Sequence, residues 1–394
     1  MDRRFFLRGA ALLGCSAAAH PLLSTVTLAQ GQAAFGDNRL IVVILRGAMD
    51  GLDAVQPIAD PMFASYRPTL GAAGQAVDLD GFFGLNVHLG GLKPLYDAGE
   101  LGFVHATSTP YRDKRSHFDG QDMLEAGTGL DVAPSAVRDG WMNRMLMAVP
   151  GITAETAYAI GRDAQPLLAG KAGVRNWTPD VALDLSAQSR LLLEHIYHDD
   201  DLFREAALEA MDLATYGETA EMGEGADKQF RDIDTLVDFA AGRLREDTRV
   251  AAFSLSGWDT HRSQGKVIVK SFQGLERLIL RLRDQLGEAW GKTALLAVTE
   301  FGRTARENGS RGTDHGTGGV MVLAGGAVRG GKVLGKWPGL AEADLYDRRD
   351  LMPTSDVREW AAAAMRGLYG FDRAVLEGAV FPGLKMGDDL PIIR

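Results

Sequence analysis

Six short apolar runs limit what this chain can fold into. They are Arg39–Leu45, Leu101–Ala106, Ala157–Ile160, Val250–Leu255, Ala294–Val298 and Val320–Ala324. A strand that is apolar on both faces must be covered on both, as in a parallel sheet. Between the runs lie segments in which apolar residues recur every three or four positions. Gln121–Ala126, Leu191–Met211, Phe230–Leu244, Val267–Leu286 and Ser355–Leu368 are therefore read as helices. Strands alternating with helices predict an α/β fold, with a mainly parallel central sheet and helices on both faces. The acidic, Gly-bearing stretch 218–227 reads as a solvated connection.

The first thirty residues follow a different logic. Arg3-Arg4-Phe5-Phe6-Leu7 precedes an Ala-rich apolar stretch interrupted by Gly14, His20 and Pro21. This resembles a twin-arginine signal peptide and is too broken to serve as a permanent membrane anchor. Residues 1–30 are assigned to that signal and 38–390 to one α/β domain. The expectation is an exported, periplasmic protein that meets the twin-arginine translocase in passage and has no integral span when mature. Leu12-Leu13-Gly14-Cys15 also resembles a lipid-attachment box, although the apolar run before it is short. Cys15 is the only cysteine. A mature chain without it has no disulfide, and any metal must be held by His, Asp and Glu. The net charge of −10 argues against nucleic acid as a partner, which needs clustered Lys and Arg.

In open α/β sheets ligands bind at the carboxyl ends of the strands, and the residues after these runs are polar in a consistent way. Asp50 lies among small residues after the first run, where it is either a metal ligand or a helix N-cap. Beyond the second run come Ser108, Arg112, Ser116 and His117. Ser116 stands where a helix should begin, so it is either a nucleophile favoured by the helix dipole or a cap. Asp259 and His261 follow the fourth run, Glu300 and Arg303 the fifth, and Asp314 and His315 precede the sixth. A sulfur-free set of this kind suits one or two divalent ions: zinc, manganese, magnesium or calcium. Arg303 and Arg112 are placed to grip a tetrahedral oxyanion. His105, directly on a strand, reads as a core histidine bonded to backbone.

Taken in order, Leu45–Leu52, Asp113–Asp122, Gly257–Gln264, Thr299–Thr304 and Gly312–Gly318 resemble the signature blocks of the bacterial domain-of-unknown-function 1501 family. The resemblance spans about 39–385. That family is regarded as a distant relative of the alkaline phosphatase, sulfatase and phosphodiesterase superfamily, and the resemblance implies an alkaline-phosphatase-like fold with a two-metal site. On it, Asp50, Asp259, His261, Glu300 and His315 would be ligands. The superfamily has Asp-His where this chain has Glu300-Phe301. One ligand is then missing unless His117 or Asp314 supplies it, so one ion or two remains open. Ser116, eleven residues before Gly127, matches the superfamily nucleophile. Ser108, in Ser108-Thr-Pro110-Tyr-Arg112, matches the sulfatase pattern.

The expected activity is a metal-dependent hydrolase or transferase acting on a small-molecule or polysaccharide phosphate or sulfate ester. Two alternatives stand beside it. One is a catalytically silent envelope protein that binds a partner or polysaccharide, and the other is a metal-dependent phosphomutase.

Overall fold

Strand β1 (Arg39–Leu45) is buried at every position. Its side chains alternate between two layers, as a pleated strand requires. Ile41, Val43 and Leu45 enter one apolar cluster, and Leu40, Val42 and Ile44 enter another on the opposite face. The computed structural model of the protein describes residues 35–71, 76–112, 115–132, 137, 139–149, 152–161, 165–178 and 230–394. The signal at 1–30, the helix expected at Leu191–Met211 and the connection 218–227 lie outside the described residues.

Three short strands, β2 (Val55–Gln56), β3 (Ala76–Asp78) and β4 (Gly84–Asn86), form a small antiparallel sheet. The main sheet adds β5 (Leu101–Ser108), β6 (Ala157–Ile160), β7 (Arg175–Trp177) and β8 (Val250–Leu255) to β1. It continues with β9 (Thr293–Val298), β10 (Gly319–Ala324), β11 (Val333–Leu334) and β12 (Ser355–Asp356). Its order is β11-β5-β10-β9-β1-β8-β6-β7, with β12 also paired to β5. Every pairing is parallel except those of β10, which runs antiparallel to β5 and β9.

Helices cover both faces. Arg231–Arg245 and Val269–Leu286 bury Val237, Phe239, Phe272, Leu275 and Leu278 against the Ile41 side. Trp141–Met147 and Val357–Tyr369 cover the Leu40 side, where Ala361 to Ala364 let the helix approach closely. The α/β class read from the sequence is therefore the observed one, and all six apolar runs are strands. The last helix starts two residues later than its periodicity suggests. Ser355 and Asp356 extend along β5 instead, and Asp356 then caps the helix by accepting from Arg358 N at 2.9 Å. Among the described residues, no helix is long and apolar enough to cross a membrane.

The direction of β10 fixes the geometry of the site. Because it runs backwards, the segment leading into it arrives at the edge where its parallel neighbours end. Gly302 makes that return tight: a Cβ there would lie 1.9 Å from Gly318 O, closer than any side chain tolerates. The β9-to-β10 connection is held by Gly302 N to Thr317 O at 2.9 Å and Thr304 N to Asp314 O at 2.9 Å.

Candidate metal centre

At that edge, His117, Asp259 and His315 each present a ligand atom, and the three atoms lie within 4.8 Å of one another. Each comes from a different element. His117 opens the helix His117–Ala126, with Ser116 as its N-cap. Asp259 follows β8, and His315 precedes β10. Gly47, with φ +115°, lets the end of β1 pass beside Asp259, because a Cβ there would stand 2.6 Å from Asp259 N.

Asp259 is the hub. Its Oδ1 lies 3.2 Å from His315 Nε2 and 3.0 Å from His261 Nε2, and its Oδ2 lies 3.4 Å from His117 Nε2. Two ligands on one ion with bonds of about 2.1 Å stand roughly 3.4 Å apart in tetrahedral geometry, so these spacings suit a shared cation. Burial pushes the Asp259 carboxyl up. The hydrogen bond and charge of Arg303 outweigh it and hold the group near 2, so the carboxylate stays ionised.

The outer nitrogens of the three imidazoles are also engaged. His117 Nδ1 lies 2.7 Å from Glu300 Oε1, His315 Nδ1 lies 2.8 Å from Arg115 O, and His261 Nδ1 lies 3.5 Å from Asp314 Oδ1. A carbonyl or carboxylate only accepts, and Asp259 also faces each Nε2, so with an ion between them each neutral ring would carry its proton on Nδ1 and turn its Nε2 lone pair inward. This is the usual dress of metal-binding histidines. His117 Nε2 is buried with no hydrogen-bond partner, and the Nε2 atoms of His261 and His315 face each other at 3.0 Å. The hydrogen bond that His117 donates to Glu300 raises the His117 pKa, whereas burial lowers that of His315. Two imidazole nitrogens and a carboxylate oxygen within 4.8 Å of one another, with His261 beside them, are a donor set that could hold a divalent cation.

The other residues singled out by the sequence take different places. Glu300 is wholly buried and meets the cluster only through His117. Its Oε1 also accepts from Gly47 N at 3.0 Å and Gln121 Nε2 at 3.1 Å. In this arrangement it meets the cluster as the partner of His117. Asp314 plays the same part for His261. Asp50 is not brought to the cluster: Arg67 Nη1 donates to its Oδ2 at 2.6 Å and Nη2 to its Oδ1 at 3.1 Å. Both side chains are buried, and Asp50 also caps the helix Gly51–Ala54 by accepting from Asp53 N.

Of the two expected oxyanion clamps, Arg303 is engaged through all three nitrogens and Arg112 through Nη1. Arg303 is fully buried, donating to Ala48 O at 2.7 Å, Trp258 O at 3.0 Å, Gly47 O and Asp259 Oδ1 at 2.7 Å. It fixes the carboxylate and does not reach outward. Arg112 bonds Thr109 O, Tyr111 O at 2.7 Å and Ser108 Oγ at 3.3 Å, within its own loop. Ser108 is buried at the end of β5 against that guanidinium. Ser116 is only half-buried and stands between Arg115, whose carbonyl holds His315, and His117. His105 is a core histidine: its Nε2 lies 2.9 Å from Val55 O, its Nδ1 accepts from Ala106 N, and burial lowers its pKa to about 4.

Solved structures with distant likeness include the C-terminal periplasmic domain of EcEptC from Escherichia coli in complex with Zn. It is 8% identical, with 73% of each chain covered and a TM-score of 0.39. A protein in the alkaline phosphatase superfamily from Vibrio parahaemolyticus is 11% identical, covering 85% of this chain and 67% of its own, with a TM-score of 0.39. The PsFucS1 sulfatase from Pseudoalteromonas sp. is 14% identical, covering 79% and 67%, with a TM-score of 0.36. No curated protein matches the chain significantly in sequence. Residues 106–377 match the family described as "Protein of unknown function (DUF1501)", a span that takes in four of the five sequence blocks and leaves out the first. The chain belongs to the DUF1501 family.

Proposed function

We propose that the cluster binds one divalent ion and that the protein is an exported hydrolase or transferase of a phosphate or sulfate ester. The observation that carries this reading is the convergence of His117, Asp259 and His315 within 4.8 Å, with His261 beside them and every imidazole anchored through Nδ1. Nitrogen and oxygen donors with room for a further ligand suit zinc or manganese in a catalytic role. Asp50, Glu300 and Asp314 are already engaged elsewhere, which favours one ion over two. Export through the twin-arginine route, proposed from Arg3 and Arg4, would let the ion be loaded before the protein leaves the cytoplasm.

When bound, the ion supplies positive charge that stabilises the transferring group and the ionised nucleophile. The chain provides the rest. Ser116 Oγ, at the positive end of the ten-residue helix His117–Ala126, would lose its proton to solvent water and attack phosphorus or sulfur, breaking the bond to the ester oxygen. The ester oxygen takes a proton from water as it leaves. A water or an acceptor hydroxyl then attacks the same atom, its proton passing through solvent to the serine oxygen that departs. Ser116 suits this role better than Ser108, whose hydroxyl is buried against Arg112.

Ser116→Ala is expected to lower turnover of an aryl phosphate or aryl sulfate by roughly 1,000-fold or more while zinc remains bound. Ser108→Ala should keep most activity. Steady-state assays on a panel of such esters check both. Undiminished activity in Ser116→Ala would remove it as nucleophile, and turnover confined to phosphosugars without phosphate release would indicate a mutase.

A further inference from the structure

Beneath the cluster lies a buried side chain that no step above uses. Gln264 is fully buried and ties four segments together. Its Nε2 donates to Asp50 Oδ2 at 2.6 Å and to Asp53 Oδ2 at 2.8 Å. Its Oε1 accepts from Thr260 Oγ1 at 3.0 Å and from Thr313 Oγ1 at 2.7 Å. The chemistry fixes which way the amide points. Carboxylates can only accept and so demand the NH2 end, while the two hydroxyls can donate to the oxygen. Flipping the amide would set its oxygen against two carboxylates.

The positions of the two threonines give this network a use. Thr260 lies between Asp259 and His261, and Thr313 lies two residues before His315. Both are buried, and Thr313 N also donates to Thr260 O at 3.3 Å. One amide oxygen thus joins the loop that carries two members of the cluster to the loop that carries another. The amide nitrogen fastens both to Asp50, itself clamped by the buried Arg67. Asn86 Nδ2, at 2.8 Å, secures Asp53 from the small sheet. The network is closed: each polar atom of Gln264 is satisfied twice, and its anchors are held in turn.

We infer that Gln264 is a positioning residue for the metal centre, setting the separation of Asp259 and His261 from His315 through Thr260 and Thr313. The inference rests on the proposed metal site and goes beyond it. Outer-sphere partners of metal ligands typically change affinity by roughly 10–100-fold when removed. Gln264 acts one step further out but on two loops at once, so a change of about tenfold is the expected scale.

The test is a chelator-competition titration of the full folded protein with zinc alone, paired with thermal melts. Thr260→Val and Thr313→Val, each removing one hydroxyl while preserving shape, should each weaken zinc binding, and Gln264→Met should weaken it by about tenfold. In the triple variant the effects should not add, because all three changes break the same bridge. Measured as a ratio to the wild type at each pH, the zinc affinity of Gln264→Glu should be nearest to it while the carboxyl is protonated, keeping one donor and one acceptor, and fall behind as it ionises beside Asp50 and Asp53. The threonine variants keep the test decisive if Gln264→Met fails to fold. Melting temperatures that fall while zinc affinity stays at the wild-type value would overturn the inference and leave the metal site standing. A wild-type protein that binds no zinc would overturn the metal site, and the inference with it.

Discussion

Asp50→Ala is expected to cost roughly 3–5 kcal/mol of folding stability and yet leave a divalent ion bound. The reason is the partner left behind. Arg67 has no exposed surface in its side chain: Nη1 and Nη2 donate to Asp50 at 2.6 and 3.1 Å, Nη2 also donates to Thr304 O, and Nε donates to Ala305 O. Removing the carboxylate leaves a buried guanidinium without its counter-charge, and breaking one side of a buried pair typically costs that much. Gln264 would also lose one of its two acceptors, so zinc affinity should weaken without disappearing. Urea unfolding with the metal-free protein gives the stability change, and zinc titration gives the other half. Loss of all zinc binding in a folded Asp50→Ala protein would return Asp50 to the ligand set that the family resemblance implies.

Asp259→Ala combines two losses. It removes the carboxylate on which His117, His261 and His315 converge, and it strands Arg303, whose side chain is wholly buried. Zinc affinity should fall by more than roughly 100-fold, beyond the range seen for outer-sphere partners, and ester turnover should vanish with it. Stability of the metal-free protein should also fall, by about 1–3 kcal/mol. That is less than for Asp50, because Arg303 keeps four backbone carbonyls and Asp259 is half exposed. Asp259→Asn separates the effects: its amide oxygen can still accept from Arg303, so stability should recover while zinc affinity remains low. Equal zinc affinity in Asp259→Asn and the wild type would contradict the role given to this residue.

How much of this was legible in the sequence depends on the kind of signal each residue leaves. The strands were legible because double-sided burial leaves continuous apolar runs, and β1, β6 and β8 begin and end where those runs do. Asp259, His261, His315 and His117 could be picked out because each follows or precedes a strand at one edge. Which of them meet was not readable. That depends on β10 running against its neighbours and on the glycine-tight return through Gly302, neither of which periodicity reports. Asp50 and Glu300 look like ligands by position alone, and the sequence does not show that their partners here are Arg67 and His117. Arg67 sits in Tyr66-Arg67-Pro68 with no motif around it, so nothing in the sequence marks it as the counter-ion of Asp50. Gln264 is equally silent, since a lone glutamine on a short helix carries no spacing pattern. Asp53, three residues after Asp50, offered the only local hint that the first acidic residue belongs to a buried polar network.

The central claim is that His117, Asp259 and His315 hold one divalent ion. Elemental analysis of the folded protein tests it most directly, with His117→Ala and His315→Ala purified alongside. The account predicts about one equivalent of zinc or manganese per chain in the wild type and its loss in both variants, with the fold retained by circular dichroism. No bound metal in the wild type after reconstitution, or metal retained in both variants, would contradict it.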